Sequence, residues 1–127
     1  MVESKIETGY LSVTVNGAFA RNTLMAVDPA TGKYGAATAS STYEDVVGHL
    51  TEESQADGDK RVVRMLTASG THIGLSAAAI ALTDILKAGA AGAIVVSGTG
   101  VRLGVPLEAV ASGEWFEYRT FQCLVTA

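Results

Sequence analysis

"AFARNTLMAV" (Ala18 to Val27) can be laid over "AIALTDILKA" (Ala79 to Ala88) at an offset of 61 residues. The match continues downstream. "TGKYGAA" parallels "AGAIVVS", "VVGHLTE" (Val46 to Glu52) parallels "RLGVPLE" (Arg102 to Glu108), and "DGDKRVVRML" parallels "SGEWFEYRTF". Gly48 falls on Gly104, Glu52 on Glu108, Gly58 on Gly113 and Arg64 on Arg119. The offset drifts from 61 to 55, which puts small gaps into turns. The match is weakest before residue 18, where the alternation falls out of phase. A chain that repeats itself over about 18–66 and 79–121 must build two similar units, each too small to be stable alone, around one shared core.

The period of the apolar residues says what those units are made of. In "YLSVTVNG", Leu11, Val13 and Val15 fall on one face and Tyr10, Ser12, Thr14 and Asn16 on the other, the alternation of a half-buried strand. "NTLMAV" is a short apolar run, and Asp28, Pro29 and Gly32 behind it carry the turn chemistry of a hairpin. "STYEDVVGHL" reads as a short helix capped by Ser41 or Thr42, or as another strand. "TEESQADGDK" reads as a surface loop or hairpin tip and "RVVRMLTA" as a strand. In the second half, Ile85 to Lys87 and Ile94 to Val96 read as strands joined by the turn "AGAAG". "VRLGVPLEAV" is a strand that ends near Pro106 or runs past it along an edge. "EWFEYRTFQCLV" is the strongest strand of all, being rich in aromatic and β-branched residues. The expectation is a mainly β fold with little helix: a compact β-barrel or sandwich-like domain built from two related β units. Residues 1–8 read as an N-terminal arm and 9–127 as a single β domain, a length that buries roughly two thirds of its unfolded surface.

Composition removes several function classes. The net charge is −4 and the nine Lys and Arg form no basic stripe, which argues against nucleic acid. No apolar run approaches the roughly 18 residues of a membrane span. The first ten residues contain no apolar signal region. Cys123 is the single cysteine, so no internal disulfide forms and synthesis in a reducing cytoplasm is expected.

"SGTGVRLGVP" has the glycines of a phosphate loop, but the dinucleotide pattern would need glycine where Leu103 stands, and no Gly-Lys-Ser/Thr triplet occurs. The first unit has "ASSTYED" in the same slot, so the segment reads as a connection between strands. His49 and His72 have no ligand partners at metal spacing, and His49 fills the strand slot of Val105. Cys123 lies in an apolar strand, where a thiol acts as a small hydrophobe. Glu52, Glu53, Asp57 and Asp59 lack the ligand order of a calcium loop and read as a solvated loop. No catalytic, cofactor or metal set is expected. Alternation places Trp115 and Phe121 on the face opposite Phe116 and Tyr118, so one aromatic pair is a candidate for an interface.

The second half carries a family resemblance. Its strand-turn-strand with the turn "AGAAG", then "GVPLEA" (Gly104 to Ala109), then the small-residue turn "VASGE" and the strand "WFEYRTF", resembles the small decoration, or cement, proteins of tailed-bacteriophage heads. The likeness covers about Ile73 to Phe121 and more loosely the first unit, with Pro106 where alanine is more usual. It implies a compact β fold, often trimeric, bound to the outside of the capsid shell, and it brings no catalytic residues. The chain is therefore expected to be a non-enzymatic virion structural protein. Its partners would be the major capsid protein and itself, as a homotrimer. Its place would be the outer capsid surface, after synthesis in the host cytoplasm. The alternatives are another virion part, such as a fibre base or a head-tail connector piece, or a small ligand-binding or enzymatic β barrel. Val2, Ile6 and Tyr10 recur every four residues in "MVESKIETGY". Together with Trp115 and Phe121 they are the expected partner-binding residues.

Overall fold

The computed structural model describes residues 9–38, 41, 46–96 and 101–126, with Val101 and residues 122–126 described by their backbone alone. Among these residues the chain forms ten strands, and its only helical piece is the 3-10 turn Ala90–Gly92. The first half contributes β1 (Tyr10–Asn16), β2 (Leu24–Val27), β3 (Tyr34–Ala36), β4 (Val46–Leu50) and β5 (Asp57–Met65). They follow the order β1-β3-β2-β4-β5 and close into a barrel, with β5 antiparallel to β1. The second half contributes β6 (Thr71–Leu75), β7 (Leu86–Ala88), β8 (Ile94–Val96), β9 (Val101–Pro106) and β10 (Trp115–Thr126), in the order β6-β10-β9-β7-β8.

The two halves correspond bridge by bridge. β1 meets β3 through the parallel pair Val15–Tyr34, and the edges of the second sheet meet through the parallel bridge Ser76–Ile94. The antiparallel bridge Phe19–Ser54 has its counterpart in Ile80–Val110. Gly48 faces Met65 as Gly104 faces Thr120. At these two positions the partner strand presses so close that a Cβ would sit 2.0 Å from the Arg64 carbonyl oxygen and 1.9 Å from that of Arg119. Only a residue without Cβ fits. Gly58 and Gly113 both turn with positive φ, 96° and 84°, at the entry to β5 and β10.

The correspondence reaches further towards the N-terminus than the sequence match does. Leu11, Val13 and Val15 on β1 take the places of His72, Gly74 and Ser76, and these three are buried. The apolar alternation is missing there because the inward positions are filled by other means. A Cβ on Gly74 would lie 2.3 Å from Ile94 Cδ1. Ser76 Oγ donates to the carbonyls of Ala111 at 2.6 Å and Glu114 at 3.0 Å, which makes its burial cheap. Tyr10 is the first residue of β1, opposite Arg64, while residues 1–8 lie outside the described residues.

Other expectations resolve locally. Val46–Leu50 is a strand, while residues 42–45 of the helix-or-strand segment lie outside the described residues, as does 97–100 of the glycine loop. β9 stops at Pro106, paired with Tyr118, where its missing N–H costs no further ladder bond. β5 starts at Asp57, four residues earlier than the apolar pattern suggests.

Two apolar clusters hold the halves. Val13, Val15, Met25, Leu50 and Val63 fill the first barrel. The larger cluster joins Leu24, Ala26, Val46 and Leu66, which point outward from that barrel, to Leu86, Ile94, Leu103, Phe116 and Tyr118 of the second sheet. At roughly 1.5–3 kcal/mol per fully buried large side chain, this shared cluster is the main attachment between the halves. Backbone bonds lock it: Gly92 N–H donates to the Ala37 carbonyl at 2.8 Å, and Thr120 Oγ1 donates to that of Leu66 at 3.0 Å.

Candidate interaction surface

Both histidines end in the seam between the halves. His49 leaves the outer side of β4 and its Nδ1–H donates to the Asn22 carbonyl at 2.7 Å. That bond leaves Nε2 as the acceptor for the Tyr118 hydroxyl, which reaches it from β10. His72 lies alongside, its ring 6.1 Å from that of His49 and 6.0 Å from that of Tyr118. Arg64 spans from β5 to the β5–β6 turn, donating to the carbonyls of Thr71 and Ser69. Burial pushes the His49 imidazole down to about 4, with the nearby His72 and Arg64 charges adding to the shift against the pull of the Asn22 carbonyl. Burial, then the Arg64 charge, also lowers His72. Burial raises the Tyr118 phenol. His49, His72 and Tyr118 are therefore held neutral beside the Arg64 guanidinium, and no buried side-chain nitrogen or oxygen among the described residues lacks a partner. An imidazole committed on both nitrogens has no lone pair left for a metal or for a proton in transit.

The acidic loop is occupied with its own backbone. Asp59 accepts from the amides of Gln55 at 2.8 Å and Ala56 at 3.1 Å, and Arg61 approaches it at 3.4 Å. The two amides hold its carboxyl below the usual range. Among the described residues no group of three or more His, Cys, Asp or Glu side chains converges.

What the fold does present is an outer sheet face. On β10, Phe116 and Tyr118 point inward and are buried, while Trp115 is 48% exposed. Trp115 pairs with Leu75 and Glu117 with Ile73 across β6, and Leu107 follows β9 with its amide on the Glu117 carbonyl. Ile73 (45% exposed), Trp115 and Leu107 (48%) thus line one side of a single sheet. The correspondence of the halves assigns Ser12, Lys60 and Thr51 to the same places in the first half. The same surface is polar in one unit and apolar in the other. Phe121 lies further along this face, half-buried next to exposed Arg119. Tyr10, 46% exposed, lines a cleft of about 550 Å³ over His49 and Arg64 that borders this face at Ile73 and Glu117. Val2 and Ile6 lie outside the described residues, as does the Cys123 side chain. The sequence repeat already set Leu107 against Thr51, whereas Ile73 and Ser12 lie before the part of the chain it covers and are matched only by the strand correspondence.

The fold has a solved counterpart. The structure described as the head fiber gp8.5 N base in bacteriophage phi29 matches with a TM-score of 0.70. The match covers 91% of this chain and 96% of that one at 15% sequence identity. That coverage includes both halves, so the two chains share the paired arrangement and not merely one sheet. No protein-family model matches the chain, and no curated protein matches it. What the likeness shows is the fold; function has to come from surfaces placed on it.

Proposed function

We propose that this chain is a non-enzymatic structural protein of a phage virion, seated on the outer surface of the capsid as a decoration protein or the base of a head fibre. The observation that carries the reading is the near end-to-end likeness to the N base of a phage head fibre. The resemblance of Ile73 to Phe121 to capsid decoration proteins points the same way. The closed polar cluster and the apolar outer face of the second sheet suit a binding module better than a catalyst. On this reading the partner is the major capsid protein, and a homotrimer lets a small chain bury a large surface under closed symmetry. The protein would be made in the host cytoplasm and end on the virion exterior.

The test is a copy count by quantitative mass spectrometry on purified particles, together with binding of the purified protein to preformed shells. A shell-wide or fibre-site stoichiometry with saturable binding to mature shells is expected. A count matching a single vertex would make it a connector piece, and absence from particles would end the reading. Sedimentation alone and on shells tests the trimer.

A further inference from the structure

In the first half, one outer face is an interface. Leu24 and Ala26 on β2, Val46 and His49 on β4, and Leu66 behind β5 are all buried under the second sheet. The repeat register carries these positions onto Ile85, Lys87, Arg102, Val105 and Phe121, and carries Arg64 onto Arg119. In the second half those residues are half-buried, and Arg119 is exposed. The halves are joined head to tail, so one copy of this face is left over by construction.

The leftover face has changed in a defined way. Ile85, Val105 and Phe121 keep an apolar floor, but Ala26 and Val46 have become Lys87 and Arg102. A register shift on β7 and β9 turns Leu103 inward and sets Lys87 directly opposite Arg102. Arg119 stands across from Val105 on the adjoining strand. Neither Arg102 nor Arg119 belongs to an ion pair among the described residues. The next carboxylate along β10, Glu117, shares this face and accepts from the hydroxyl of Thr71, the residue paired with Arg119 on β6. Three of the nine cationic residues of a chain with net charge −4 thus share one face with a half-buried apolar floor.

We propose that this outer face of β7, β9 and β10 is a docking surface for an acidic protein surface. Ile85, Val105 and Phe121 supply the apolar contact, and Arg102 and Arg119 supply the charge complement. It rests on the proposed function only in that the capsid shell is the expected bearer of the acidic surface. A dry self-interface is disfavoured by the charges: a second copy would have to bury cations where the first half buries Ala26 and Val46.

The experiment compares the wild type with Arg102→Glu/Arg119→Glu and with Arg102→Gln/Arg119→Gln, each checked for an unchanged melt. Lys60→Glu, on the polar face of the first half, is the control. The probes are preformed shells, a poly-glutamate peptide and a DNA duplex of equal charge. The expected result is binding to shells and peptide that weakens with salt, falls about tenfold or more on charge reversal, falls less on neutralisation and is unchanged in the control. Wild type that ignores shells but binds the peptide in this charge-dependent way would sink the virion reading and leave the face standing. Charge-reversed protein that binds shells and peptide as the wild type does would overturn the proposal. So would a preference for the duplex over the peptide, or sedimentation in which charge reversal only dissociates the protein from its own copies.

Discussion

The first half hides its outer face and fills its barrel with valine; the second half exposes that face and fills its interior with a network. Val13, Val15 and Val63 on one side correspond to Gly74, Ser76 and Tyr118 on the other. Strand order, closing bridges and the two close-approach glycines are the same in both. The difference teaches which constraints belong to the backbone and which to the neighbours. A ladder of hydrogen bonds fixes where a Cβ cannot go, so Gly48 and Gly104 remain. What lines the interior depends on what lies against it, and only the second half has another unit pressing His49 and Arg64 towards its open end.

The largest expected effect tests the shared part. Gly48→Ala and Gly104→Ala each drive a Cβ into a backbone carbonyl, which cannot move without breaking the ladder. Each is expected to lose about 3 kcal/mol or more in urea unfolding, or to fail to fold. A tolerant Gly104 beside an intolerant Gly48 would break the equivalence of the halves.

Acid tests the part that differs. His49 has an ordinary value of 6.5 and is held at about 4 in the folded protein. As pH falls below 6.5 the unfolded chain takes up the proton first. Stability is therefore complete above that value and is lost progressively down to about pH 4, by roughly 3 kcal/mol for this shift. His72 acts in the same sense. Half-buried Asp59, also held low, extends the loss to more acid pH. Urea midpoints at pH 7, 5 and 4 measure it, and a slope unaltered in His49→Val would assign it to other groups.

Smaller effects come from cutting the seam bond. Tyr118→Phe leaves His49 Nε2 buried without a donor, and His49→Val leaves the Tyr118 hydroxyl alone. Each is expected to cost about 1–3 kcal/mol. The double variant, with both partners gone, should cost clearly less than the sum, and an additive cycle would show that the bond contributes nothing. The smallest effect on stability belongs to Trp115→Lys, which gives the second half the residue of the first. It should change stability by no more than about 0.5 kcal/mol while weakening shell binding. A large loss of stability would mean that the indole is structural.

Much of this architecture was legible because its signals are local or repeat at fixed spacing. Alternation in "WFEY" was enough to set Trp115 on the face opposite Phe116 and Tyr118, and the packing of the halves decided which of the two faces turned inward. Paired glycines at 48 and 104, and at 58 and 113, declared the duplication because a missing Cβ is a requirement of the backbone itself. Tertiary structure alone decided the rest. The repeat vanished from the sequence before residue 18 because inward positions can be satisfied by a serine bonded to carbonyls or by a glycine under an isoleucine as well as by valine. His49 read as an ordinary strand residue, since its partner Tyr118 is 69 positions away and only the docking of the halves brings them together. The two outer faces could be aligned residue by residue from the start. Which was to be buried and which left open depends on the direction in which one unit packs on the other, and hydrogen-bonding and hydropathy patterns along a single chain do not encode that direction.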